Sequence, residues 1–384
     1  MTLIKNARVL TMEQANEDYQ TIDVLIENGK IKKLGKITSK KAEVIDAEGA
    51  ILLPGFIDAH CHLGLWEDAI GFEGADGNEM TGPIKPELRA IDGINPRDRN
   101  FQDALSGGVL AVSTGPGSAN VMGGTFATIK THGGRIDDMI LMEPAAMKIA
   151  FGENPKRVYS AKNVSPSTRM ATAAELRQVL YKAKDYYEKK QSKKVEDRPK
   201  FDFQMEALIP VFEKKIPLKA HAHRVDDIYT AIRIAKEFDL KLTLDHVTEG
   251  HMMVEDLKKE QVGCIVGPSF GTRSKVELEH KSFETAKVLT EAGIQVAIMT
   301  DHPVIPIEHL NMAAAYCVKV GMDHYDALKA LTINPAEILG VADRIGSIAV
   351  GKDADMVLWS GDPLDVQQEV IWSMIDGEIV YRRP

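Results

Sequence analysis

Two histidines one residue apart close an apolar run in LLPGFIDAHCHLG (52–64), where His60 and His62 flank Cys61 directly after Ile51 to Ile57. In an extended strand, residues i and i+2 project from one face, so both imidazoles can reach one metal ion. A lone His-x-His pair is weak evidence, because half-buried histidines often serve structure alone. The pattern recurs, however. His221 and His223 follow the run Ile216 to Ala220, His246 follows Leu242 to Asp245, and Asp301 follows Val296 to Thr300. Histidines and an aspartate at four separate strand ends are hard to assign to core packing. They point to a metal centre, and to the hydrolytic chemistry that such a centre performs.

Residues so far apart in sequence need a fold that gathers strand ends. Apolar runs at Val109 to Val112, Met139 to Met142, Leu218 to Ala220, Leu242 to Leu244, Gly263 to Val266 and Val296 to Met299 alternate with helix-patterned stretches. The clearest is 171–190, in which Leu176, Val179, Leu180 and Ala183 recur at helical spacing, and 224–240 is another. Such alternation predicts an α/β fold, a parallel barrel of eight strands whose C-terminal rim carries the site. The first fifty residues and the last forty read differently. They are short strands punctuated by Asn28-Gly29, Gly351 and Asp376-Gly377, and are expected to form one small β domain from both chain ends. The expected division is 1–53 and 343–384 for that β-sandwich domain and 54–342 for the barrel.

Composition narrows the class. The 384 residues are 44% hydrophobic and 27% charged, which suits a globular chain with a large core. A net charge of −9 argues against a sequence-independent hold on nucleic acid or an anionic membrane. Cys61, Cys264 and Cys317 lie far apart, so neither a disulfide framework nor a zinc ribbon is indicated, and a reducing cytoplasm is the expected compartment. No window approaches the ~20 apolar residues of a membrane span, and the N-terminus lacks a signal-peptide core.

The combination of PGFIDAHCHLG (54–64), the mid-strand His221, LDHVTEGH (244–251), MTDHPV (299–304) and GSIAVGKDADMVLW (346–359) resembles the amidohydrolase superfamily. The nearest likeness is to the group holding imidazolonepropionase and the prolidase-type metal-dependent dipeptidases, and it spans nearly the whole chain. It implies a distorted (β/α)8 TIM barrel with a split β-sandwich, and one or two divalent metals, most often Zn2+. By the same resemblance, His60 and His62 match ligands of the first barrel strand, His221 and His246 those of the fifth and sixth, and Asp301 the aspartate of the eighth. Asp301 would take the proton of the attacking water and pass it to the leaving nitrogen.

Members with two metals use a bridging group from the third or fourth strand, a carboxylated lysine or a glutamate. ILMEPAAMKIAFGENPK (140–156) offers Lys148 and Glu143. Lys148 sits between Met147 and Ile149, where desolvation would favour the neutral amine that can be carboxylated, and it is the preferred ligand. His223, on the same strand face as His221, is a further catalytic candidate. The excursion 63–96, with Glu67, Asp76, Asn78, Glu79 and Arg89, is expected to contact substrate, as is Arg273 in PSFGTR (268–273). The glycine-rich stretch 114–130 lacks a phosphate-loop signature and is expected to be a loop over the site. His132, His251, His280, His309 and His324 read as structural, and the charged tract 188–200 as a solvated helix end.

The expected function is hydrolysis of an amide-type C–N bond in a small-molecule substrate, such as a cyclic amide, an N-acyl compound or a dipeptide. Heterocycle deamination is the rival. The superfamily's deaminases carry a glutamate two or three residues after the fifth-strand histidine, whereas His221 is followed by Ala222, His223 and Arg224. N-acyl deacetylation and a non-catalytic scaffold complete the alternatives, and assembly as a homo-oligomer stays open.

Overall fold

Strands at both ends of the chain pair with one another in the computed structural model, which describes residues 1–15, 17–68 and 70–384. The N-terminal strands are β1 (Thr2–Val9), β2 (Gln20–Glu27), β3 (Lys30–Gly35), β4 (Glu43–Asp46) and β5 (Ile51–Pro54). The barrel strands are β6 (Phe56–Cys61), β7 (Val109–Thr114), β8 (Met122–Lys130), β9 (Ile140–Ala150), β10 (Leu218–Ala222), β11 (Leu242–His246), β12 (Gly263–Val266) and β13 (Val296–Ile298). The chain then returns through β14 (Met356–Trp359), β15 (Val370–Ile375) and β16 (Glu378–Arg382).

The terminal sheet has the order β16-β15-β14-β5-β1-β2-β3, with β4 beside β1. Its seam is β5, parallel to β1 on one side and antiparallel to β14 on the other. The two Asn/Asp-Gly pairs are tight hairpin turns. Asn28 and Gly29 have φ of 51° and 75°, and Asp376 and Gly377 have 49° and 77°, as the two-residue turn between antiparallel strands requires. Ile4, Val24 and Leu52 from one end share a buried core with Met356, Trp372 and Met374 from the other.

The second sheet runs β6 to β13 in sequence order. Backbone hydrogen bonds join its two ends: Asp301 N–H donates to His60 O (3.2 Å) and His62 N–H to His302 O (2.9 Å). Helices Arg169–Lys190 and Val225–Glu237 form where the periodicity predicts them. Leu176, Val179, Leu180 and Ala183 are buried, and the Thr168 hydroxyl caps the longer helix by accepting from Ala171 N–H.

One part of the expected alternation is corrected. β8 pairs antiparallel with both β7 and β9, and no α-helix intervenes, only a 3-10 turn at Ile136–Asp138, so seven strands run one way and one runs back. Residues 122–130, expected within a loop, form this buried strand. Gly124 misleads because it serves close approach: it has φ +112°, and a Cβ there would lie 2.5 Å from Leu88 O.

Barrel and terminal sheet meet over both apolar and ionic contacts. Trp359 packs on Phe56 with ring centroids 5.4 Å apart. The buried Lys130 Nζ meets Asp353, Asp355 and Asp376 at 2.8, 2.9 and 2.7 Å. His324, at the start of helix His324–Lys329, bridges Glu17 and Asp362. Among the described residues, no helix is long and apolar enough to cross a membrane, and the three cysteines are buried and unpaired.

Candidate metal centre and active site

The C-terminal ends of β6, β10, β11 and β13 meet at one rim, and the histidines converge there. Alternation along β6 turns His60 inward and places His62 just beyond the strand end. Along β10 it turns Lys219 and His221 inward, with His223 just beyond. Two sets of three potential ligand atoms result. His60, His62 and Asp301 form one, and His221, His223 and His246 the other, with the atoms in each set within 4.8 Å of one another. Asp301 Oδ1 lies 3.4 Å from His60 Nε2 and 3.2 Å from His62 Nε2. The sets adjoin, since the His246 ring centroid is 5.5 Å from that of His60 and 4.3 Å from that of His221.

His246 and Asp301 reach the site by an unusual backbone. Their φ values are +73° and +55°, a region that costs a non-glycine residue about 1–3 kcal/mol and recurs at functional sites. At His246 this turn ends the strand. Otherwise His246, directly after the inward Asp245, would face the barrel exterior.

The imidazoles are prepared as metal ligands. His62 Nδ1 donates to Gly115 O (2.7 Å) and His246 Nδ1 to Gly267 O (2.9 Å), which leaves each Nε2 as a free lone pair. His223 Nδ1 is held by the Thr248 hydroxyl at 2.7 Å. His221 Nε2 is buried without a hydrogen-bond partner. Burial, reinforced by nearby positive charge, holds His60, His221, His223 and His246 well below the usual histidine range, so all four are neutral at pH 7. At Asp301 burial acts the other way, but the contacts with His60 and His62 at 3.4 and 3.2 Å outweigh it and keep the carboxylate ionised. Neutral imidazoles around a carboxylate, one with an unpartnered buried nitrogen, are a donor set that fits a divalent metal.

Lys148 is fully buried beneath this rim. It pairs in register with Lys219 of β10, and the two amines take opposite oxygens of Asp245, at 2.9 Å for Lys148 and 2.7 Å for Lys219. Both also lie 5.4 Å from the Phe126 ring centroid. Glu143 is elsewhere: five residues back along β9, about 16 Å at ~3.3 Å per residue, it faces Arg89 at 3.6 Å. Asp58, two residues before His60, accepts from His60 N–H (3.1 Å) and Thr300 N–H (3.2 Å), and so ties β6 to the segment that carries Asp301.

A model of the amidohydrolase family matches residues 51–380. The chain belongs to the amidohydrolase family. The crystal structure of an amidohydrolase from Thermotoga maritima MSB8 is 44% identical, with a TM-score of 0.96 over the whole of both chains. Amidohydrolase tasK of Hapsidospora irregularis is 30% identical across the full chain, which spans 43% of the length of that relative. Imidazolonepropionase of Thermoplasma volcanium is 26% identical over 90% of this chain and 86% of its own. The recognition made from the sequence motifs is therefore borne out at the level of the family.

In this amidohydrolase the rim opens into a cavity of about 500 Å³. From the excursion after β6, Trp66 and Asn78 line it, whereas Glu67, Asp76, Glu79 and Arg89 do not. Glu67 instead accepts from Asn95 at 2.6 Å. Arg273, expected at the site, turns away and donates to the carbonyls of Glu279 and Lys281. His132, His251, His280, His309 and His324 all lie outside the cavity lining. Several polar residues escaped the sequence reading. Lys219 carried a usable signal, two residues before His221 on the same face, but Asp245, Lys275 and Glu277 carried none. Glu277 is buried behind the histidines, with Oε1 3.6 Å from His223 Nε2 and 3.8 Å from His221 Nε2.

Proposed function

We propose that this chain hydrolyses an amide-type C–N bond of a small-molecule substrate, using one or two zinc ions held by His60, His62, Lys148, His221, His246 and Asp301. The observation that carries the reading is the convergence of two ligand sets in which His62 and His246 are held through Nδ1 with Nε2 turned to the site. In the same reading, 54–342 is the catalytic barrel, and 1–53 with 343–384 is the flanking β domain.

A bound divalent metal supplies a Lewis acid that polarises the scissile carbonyl and makes water nucleophilic near neutral pH. Asp301, ionised between His60 and His62, accepts the proton of the attacking water and returns it to the leaving nitrogen. His223, fixed through Thr248, offers Nε2 to the substrate within the cavity. Lys148 joins the two ligand sets as a carbamate. The free-base form of that amine would form an N–C bond with carbon dioxide and release one N–H proton, and the carbamate would present two oxygens where the amine had one nitrogen. Asp245, now shared by Lys148 and Lys219, remains paired with Lys219 after that change.

Metal analysis of the purified protein, followed by a screen of cyclic amides, N-acyl amino acids and dipeptides, tests the proposal. Stoichiometric zinc and chelator-sensitive hydrolysis of at least one class are expected. A protein free of divalent metal, or hydrolysis indifferent to both chelator and Asp301→Asn, would overturn it.

A further inference from the structure

The loop between β12 and helix Glu284–Glu291 forms part of the cavity wall and carries three cations that are used in different ways. Arg273 spends its guanidinium on the carbonyls of Glu279 (2.8 Å) and Lys281 (3.0 Å) and does not line the cavity. Lys281 lines it but donates to the carbonyls of Phe270, Gly271 and Thr272, at 2.7, 2.9 and 3.3 Å. An ammonium has three donors, so Lys281 has none left, and its work is to hold this wall in shape. Lys275 differs. Its side chain is one-fifth exposed, it lines the cavity, and its one carboxylate contact is Glu277 Oε1 at a long 3.4 Å.

Glu277 is moreover a shared partner. Its Oε2 accepts from Glu153 N–H at 3.0 Å, and its Oε1 also faces His223 and His221. Gly152 leaves room for it, since a Cβ there would lie 2.6 Å from Glu277 Oε2. Glu277 therefore fixes the foot of Lys275 while at least two of the ammonium donors stay free. Among the described lining residues, Asp301 is the one carboxylate, and metal in the proposed site offsets it. The cavity is thus a positive enclosure with one cation whose donors are uncommitted, a setting that selects an anion. In the same wall Asn154 Oδ1 is buried without a partner, an acceptor for the N–H of an amide.

We infer that Lys275 anchors a carboxylate of the substrate, so that the bond cut belongs to an amide that also bears a carboxylate, as an N-acyl amino acid or a dipeptide does. This rests on the hydrolase reading and narrows it. The test uses the metal-loaded protein and a matched pair of probes, N-acetyl-L-leucine and N-acetyl-L-leucinamide, with binding read from Trp66 fluorescence immediately after mixing. Trp66 lines the cavity, while Trp359 and Trp372 are each only 2% exposed.

The acid should bind roughly 10- to 100-fold more tightly than the amide, the range of one charge-assisted hydrogen bond, and added salt should narrow the gap. Lys275→Met should erase the preference, Lys275→Arg should keep most of it, and metal content and unfolding temperature should hold in both. Equal binding of acid and amide, no saturable binding of the acid, or a preference intact in Lys275→Met overturns the inference. A metal-loaded protein that cleaves a neutral amide as fast as its acid keeps the hydrolase reading and sinks this one. A metal-free protein that still prefers the acid does the reverse.

Discussion

Replacing His324 with glutamine should weaken the native state at pH 6 and leave it unchanged at pH 10. Its Nδ1 lies 2.7 Å from Glu17 Oε2 and its Nε2 2.8 Å from Asp362 Oδ2. Hydrogen bonding to Asp362, against the opposing effect of burial, lifts the ring from 6.5 to about 9. At 1.36 kcal/mol per pH unit that difference is worth about 3.4 kcal/mol as an upper bound. The side chain is 26% exposed, so solvent screening leaves about 1–3 kcal/mol. Because the folded pKa is the higher one, the contribution is complete below pH 6.5 and disappears as pH rises through about 9. With an unfolding entropy of about 2.1 cal/mol/K per residue, 384 residues give ~0.8 kcal/mol/K, so the loss is about 1–4 °C. Glutamine retains a hydrogen-bond donor and removes only the charge. Scanning calorimetry of both proteins at the two pH values should show that gap at pH 6 and its closure at pH 10. A gap of equal size at both, or none at pH 6, would refute the linkage.

Three further expectations concern the site. Lys148→Ala and Lys148→Arg should each lose one metal per chain and most turnover, since a guanidinium stays protonated and forms no carbamate. Glu143→Gln should keep both, and elemental analysis of the three variants reverses the assignment if Lys148→Ala retains its full metal. Gly115→Ala puts a Cβ 2.3 Å from the Phe126 ring, which stacks on His60 at 5.3 Å, and it also disturbs the carbonyl that tethers His62. It should cost about 1–3 kcal/mol of stability and ~100-fold in turnover through misplaced ligands, and a variant with unchanged kcat contradicts the tethering argument. Asp301→Asn should lower kcat about 10²- to 10⁴-fold in steady-state assays, the range for removal of a general base. Activity within threefold of the parent would remove Asp301 from that role.

Much of this arrangement was legible because a strand has period two. His60 with His62, and His221 with His223, announce their shared faces by spacing alone, and the apolar run before each marks a strand end. Long helices were equally plain, as the buried Leu176, Val179, Leu180 and Ala183 illustrate. What stayed hidden depends on backbone geometry that residue identity does not encode. His246 and Asp301 face the site through positive φ at non-glycine residues, and in an ideal strand Asp245 and His246 could not both turn inward. The reversed β8 looks like a loop in the sequence because its glycines resemble punctuation, whereas Gly124 admits the main chain of Leu88. Glu277 comes from a short turn at Val276–Leu278, to which no periodicity applies.

The seam of the terminal sheet has a consequence for biosynthesis. β5 pairs with β14 some 300 positions later in the chain. At about 5–20 residues per second, a ribosome needs roughly 15–60 s to deliver that partner. Throughout the interval Ile51, Leu52, Leu53 and Pro54, all buried in the finished protein, present an open apolar edge while the barrel strands emerge and fold. Such an edge is a template for unwanted pairing between nascent chains. The interval before β14 arrives is therefore when this polypeptide most needs a holding chaperone, and chains truncated before Met356 should yield aggregates rather than a free-standing barrel.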